Sequence, residues 1–413
     1  MKSSIQSFEE RGGSRVLLKR PARTFWGRYN AIVLTTALSL IYLNLPGYAF
    51  VLNKALLPKY FYFGLVPILS PVLLLKPRAF LSYLISPFPL WIFVVIILNI
   101  IHLLNAFVEG NTGTVDLVST RIQLLVVAIG LGFALAVTRT ETYERVFPFL
   151  TVLISCSVIF DFFIPGVLYP IGMEGSVINR GAATFINPTI AAEVMLIVFL
   201  MTCAAVKMQY RMPLLILTGV GVTVTFTRSA IIAWILFWIF LSIKRVFSRL
   251  AALFTLAAFI VIPVLYDTFG NYLSSRENSG ESIANIQARL DFFSNPNFED
   301  GSSEERLKVL KAGWNLFLQN PVSGAGAGAT HFWSYKAGTH NQLVMLGAEY
   351  GILGIVLWAS LAIILWRGKH FQNKNLQFAV FCLFIFMSMF THNMFDSPYW
   401  LVTFALIAGT RKA

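Results

Sequence analysis

Runs of about twenty apolar residues recur along this chain, and that repetition restricts its possible folds more than any other feature. About twenty such residues cross a hydrocarbon core as a helix, and in lipid the backbone polar groups must be satisfied within the segment itself. About twelve runs are present, at 31–50, 57–75, 82–104, 121–138, 147–166, 188–206, 212–226, 229–243, 250–267, 341–366, 376–391 and 396–410. The expectation is an all-α polytopic membrane protein with about 12 transmembrane helices and one long helical outer loop. Composition agrees, because only 12% of the residues are charged whereas soluble domains carry about 25%.

The net charge of +13 would otherwise invite a nucleic-acid partner. With the N-terminus inside, however, most of the 32 Lys and Arg fall in the basic first thirty residues and in short even-numbered loops. Short basic cytoplasmic loops are what the positive-inside rule requires, so the excess charge reads as topology and no nucleic acid is expected. The organisation is then 1–30, a cytoplasmic basic N-terminus; 31–267, transmembrane helices 1–9; 268–340, an outer loop with amphipathic helices; and 341–410, transmembrane helices 10–12. The first apolar run lacks a small-residue cleavage site and reads as a span rather than a removed signal peptide. Cys156, Cys203 and Cys382 all fall within spans and read as small apolar core residues.

The outer loop contains "ERLKVLKAGWNLFLQNP", in which Leu307, Leu310, Trp314 and Leu318 recur at helical spacing. They predict an amphipathic helix. Topology puts Arg180, Arg228, Arg289, Arg306, His340 and His392 on the same side of the membrane. Ionisable groups at membrane depth are costly and usually functional. Arginine grips phosphate oxygens, and histidine has the pKa suited to taking a proton near neutrality. Together they suit a lipid-linked phosphate or pyrophosphate substrate.

Each residue has a plainer reading. Arg228 can be an interfacial anchor, Arg289 and Arg306 solvated loop cations, and His340 a polar residue at a helix start. His392, which repeats the His-Asn pair, reads as supporting rather than catalytic, and His331 as solvated. His102 and His370 are placed beyond an outer substrate. Glu349 is out of phase with His340 and is expected to bond a neighbouring helix. Gly347 and Gly351 suggest a close helix contact, and "GAGAGA" (Gly324, Gly326, Gly328) a tight turn rather than an anion nest. The first outer loop, "LPGYAFVLNKALLPK", holds no carboxylate, so no metal ligands and no cofactor are expected.

"TFTRSA", "ERLKVLKAGWNLFLQNPVSGAGAG" and "THNQLVMLGAEYGILG" in this order resemble the O-antigen ligase and O-antigen polymerase superfamily, most closely the ligases, over about residues 178–400. The resemblance implies a GT-C-like glycosyltransferase of the bacterial inner membrane, with its active site facing the periplasm. It would move O-antigen from undecaprenyl pyrophosphate to lipid A–core oligosaccharide. It implies His340, Arg228 and Arg306 as catalytic residues, with Arg180, Arg289 and Asn341 binding pyrophosphate or sugar. Arg289 competes with Arg306 for the loop role. Thr227 stands where a serine is commoner. His340 would deprotonate the acceptor for a single, inverting displacement. An O-antigen polymerase is the alternative. A protein O-oligosaccharyltransferase, expected to carry a large outer domain after its last span, ranks third. A lipid-linked oligosaccharide flippase is less favoured, because it should line the bundle midplane with polar groups.

Overall fold

In the computed structural model of the chain, residues 25–138, 140–170, 180–247, 301–335, 337–368 and 373–408 are described. They form the helices α1 (Phe25–Tyr42), α2 (Leu45–Leu52), α3 (Pro58–Leu75), α4 (Pro77–Leu84), α5 (Pro87–Glu109), α6 (Thr112–Val137), α7 (Thr140–Phe163) and α8 (Pro188–Ala205). There follow α9 (Met208–Val224), α10 (Arg228–Ile243), α11 (Gly301–Gln319), α12 (Gln342–Tyr350), α13 (Ile352–Arg367), α14 (Lys374–Met387) and α15 (Pro398–Ala408). Local sequence sets several starts. The side chains of Asn111, Asn187, Asn341 and Asn373 accept backbone N–H bonds at the first turns of α6, α8, α12 and α14, as N-cap residues do.

Among the described residues, five helices are long and apolar enough to cross a membrane: α3, α5, α6, α8 and the Glu144–Phe163 part of α7. The pair α1 and α2 meets the same test as one span bent by 56°, the bend falling at Asn44 with φ 51°. Four further apolar helices, α10, α13, α14 and α15, are shorter. The expected run 212–226 lies on α9, and 250–267 lies outside the described residues. The expected span 341–366 is broken at Gly351, φ 63°, into α12 and α13.

Helices α8 and α15 form the centre, and almost every residue of each is buried. Helices α3 and α5 lie outside, with Phe63, Val66, Leu74, Ile97, Leu104 and Phe107 exposed. So much exposed apolar surface is untenable in water and suits lipid, which makes the chain a multi-pass membrane protein. Cys156 belongs to this exposed surface, contrary to the core position expected; Cys203 alone of the three cysteines is buried.

The expected amphipathic helix is α11, and of its apolar stripe Leu307, Trp314 and Leu318 are exposed. The packed face carries Val309, fully buried, and Gly313, where an added Cβ would lie 2.8 Å from the Thr339 side chain and 2.9 Å from that of Val344. The two stripes lie about one residue, or 100°, apart on the helix, and the one that packs is the one with room for close approach.

After α11 the glycine turn behaves as expected. Gly324, Gly326 and Gly328 all have positive φ, and Ala325 and Gly326 donate N–H bonds of 2.8 and 3.1 Å to the carbonyls of Ala348 and Glu349. The turn thus satisfies the open C-terminal carbonyls of α12. Gly347 packs on Phe317 of α11, and Gly351 meets the carbonyls of Pro321 and Val322, so this glycine pair makes the expected close contact.

Candidate active site

Three loops carry the candidate residues. The first follows α7. Asp161, in the last turn of α7, accepts N–H bonds from Ala182 and Ala183 at 2.9 and 2.8 Å, and Gly181 donates to the Val224 carbonyl at 2.9 Å. So anchored, Arg180 donates from Nε to the Thr225 carbonyl at 2.7 Å and from Nη2 to Thr227 Oγ1 at 3.2 Å. Thr227 is the N-cap of α10 and Arg228 its first residue. The Arg180 guanidinium therefore binds the α9–α10 turn, from which Arg228 opens α10. A cation at a helix N-terminus opposes the helix dipole; the same place favours a bound anion.

The second loop carries His340. Thr339 Oγ1 donates to the Asn341 carbonyl at 3.1 Å, and Asn341 Oδ1 accepts from the Val344 N–H at 3.0 Å, so that oxygen is committed to capping α12. Arg306 is exposed on α11, seven residues before Gly313. Burial first, then the charges of Arg306 and His392, push the His340 imidazole down to about 4. At neutral pH it is uncharged and able to accept a proton.

The third loop, between α14 and α15, carries His392. Gln342 ties it to the second: its N–H donates to the Ser388 carbonyl at 2.7 Å and its side-chain oxygen accepts from the Met394 N–H at 2.8 Å. The rings of His340 and His392 meet edge to face, 5.4 Å between centroids.

Strain gathers in these loops. Among the described residues, six other than glycine have positive φ, and four of them are Ala183, Ile186, Phe226 and His340. Such conformations cost about 1–3 kcal/mol each and cluster at functional sites.

Behind the loops lies a buried ionic cluster. Arg121 of α6 donates to both Asp396 oxygens, at 2.5 and 2.8 Å, to Glu349 at 3.0 Å and to the Tyr350 hydroxyl at 2.6 Å. The Tyr350 hydroxyl donates in turn to Asn99 at 3.0 Å, and Thr330 reaches the other Glu349 oxygen at 3.3 Å. Glu349 accordingly bonds a neighbouring helix, as expected. Glu193 accepts from Tyr399 and Trp400 at 2.9 and 3.0 Å.

Arg180 binds the turn that leads into Arg228, and His340 packs on His392 within the field of Arg306, while Arg289 and His370 lie outside the described residues. His102 is not remote, as expected, but beside the loops: its ring lies 5.2 Å from that of Tyr350, and an added Cβ on Gly326 would lie 3.7 Å from its Nδ1. Sequence reasoning passed over Arg121, Asp161 and Asp396. A lone charge inside an apolar run was the available signal for the first two. Among the described residues, no three His, Cys, Asp or Glu side chains converge as a metal ion would require.

No curated protein matches the chain. Residues 213–359 match the family model Wzy_C, O-antigen ligase, a narrower stretch than the expected 178–400 but one that holds Arg228, Arg306 and His340. Over those residues the chain is similar to the O-antigen ligases, consistent with membership of the O-antigen ligase and polymerase superfamily.

Proposed function

We propose that the chain is an O-antigen ligase of the bacterial inner membrane, a GT-C-like glycosyltransferase working at the periplasmic face. It moves the polysaccharide from undecaprenyl pyrophosphate to lipid A–core oligosaccharide. The observation that carries this reading is the place of His340 at the start of α12, its ring 5.4 Å from that of His392 and within the field of the Arg306 charge, inside the stretch that matches the O-antigen ligase model.

In this reading His340 takes the proton from an acceptor sugar hydroxyl. The freed oxygen pair attacks the anomeric carbon, and the bond to the pyrophosphate oxygen breaks with its electrons leaving on that oxygen. The anomeric configuration inverts. Arg228 and Arg180, gathered on one turn, together with Arg306 hold the charge that develops on the pyrophosphate. Their fixed charges do the work of a metal ion, so the reaction is metal-independent. Asn341 and Arg289 contribute to binding sugar or pyrophosphate. The loop 268–340 then lies in the periplasm and residues 1–30 in the cytoplasm.

The test uses purified enzyme in detergent with chelator, undecaprenyl-pyrophosphate-linked glycan and a core-lipid acceptor. Transfer to the core lipid is expected, and His340→Ala is expected to lower its rate by about 10²–10⁴-fold, as loss of a positioned base does. A longer carrier-linked chain in place of glycosylated core lipid would make the enzyme a polymerase. Undiminished transfer by His340→Ala would remove the histidine from the chemistry.

A further inference from the structure

His392 lies outside the matched residues and has no part in the transfer just described, yet its surroundings are built around it. An added Cβ on Gly338 would lie 2.2 Å from His392 Nε2, so the chain two residues before His340 is bare where this ring enters. The ring edge-packs with His340 at 5.4 Å, and His340 holds a positive φ of 49°, a conformation that persists only where the surroundings enforce it. The turn carrying His392 is held from two directions, by Gln342 at Ser388 and Met394 and by Arg121 through both oxygens of Asp396. Among the described residues, His392 Nδ1 is buried without a hydrogen-bond partner, so the nitrogen is not committed to holding the fold.

We propose that His392 is a positioning residue of the transfer site, holding the His340 imidazole in its working orientation from a turn anchored by Arg121. This rests on His340 being the base. The charged groups that bear on the pair are Asp396, which favours a proton on His392, and His331, which opposes one. Arg306 and His392 both oppose a proton on His340.

The experiment measures transfer to the core lipid against pH for wild type, His392→Ala, His392→Phe and His340→Ala, with rates normalised to folded enzyme in detergent. His392→Ala is expected to lower kcat by 10- to 100-fold with KM for the donor little changed, since a displacement of about 1 Å can cost about 10²-fold. His392→Phe, which keeps a ring but cannot titrate, is expected to recover most of kcat. In both variants the acid limb of the profile moves to higher pH, because a neighbouring positive charge has been removed from His340. Loss in His340→Ala with unchanged rate and profile in His392→Ala overturns the proposal alone. So does a fall confined to the yield of folded protein. Full transfer by His340→Ala overturns the assignment of the base, and this proposal with it.

Discussion

A histidine held at about 4 by burial and a nearby guanidinium is a weaker base than free imidazole, but it is in its basic form at every physiological pH. The sign is plain. Lowering the folded pKa favours the neutral ring, and protonation sets in only as the pH falls through about 4. The acid limb of kcat/KM for the wild type, which reports the free enzyme, is therefore expected near pH 4, measured as transfer against pH, and not near the 6.5 of an ordinary histidine. At this scale the candidate residues were legible. Arg228 and His340 stand as charge or imidazole beside apolar runs, and Arg306 near the start of the amphipathic stretch of the outer loop. The supporting residues were not, because their meaning lies in partners far along the chain. Asp161 matters through Ala182 and Ala183, and Asp396 through Arg121. The left-handed backbone at Ile186 and Phe226 left no trace either, since neither residue type favours it.

Helix α11 was foreseen as an element, but the face on which it packs was not. Two stripes one residue apart both carry apolar side chains, and hydrophobic spacing favours the larger, Leu307, Leu310, Trp314 and Leu318. Packing chose the stripe with Gly313, where the His340 loop comes nearest. The difference has a thermal consequence. Val309→Ala, on the packed face, is expected to destabilise the protein by about 1.5–3 kcal/mol. Trp314→Ala, on the exposed face, is expected to stay within about 0.5 kcal/mol. Unfolding of both variants in detergent checks the pair, and the reverse order would mean that the exposed stripe is the one that packs. The breaks at Asn44 and Gly351 were invisible for a related reason. Apolar runs report what lipid tolerates and carry no information on where a helix must turn to meet a loop.

Across the whole molecule, the multi-pass character was plain from the apolar runs, while the tie between α5, α6, α12 and the last loop was not. That tie is Arg121, 3% exposed between Glu349 at 0% and Asp396. Arg121→Met leaves two carboxylates facing each other without their cation. Breaking a buried pair from one side costs about 3–5 kcal/mol, so a large fall in unfolding temperature is expected. Adding Glu349→Gln to Arg121→Met is expected to restore part of it. No restoration would mean that the arginine acts by packing and not by charge. The glycine turn has a consequence for motion. Its two bonds to the end of α12, with a third of 2.8 Å from the Ile352 N–H to the Pro321 carbonyl, join α11, the turn and the α12–α13 junction into one stiff lever. Arg306 rides at one end of that lever and His340 opens the helix it is welded to. On the proposed reading, the base and its arginine therefore belong to one hydrogen-bonded arm.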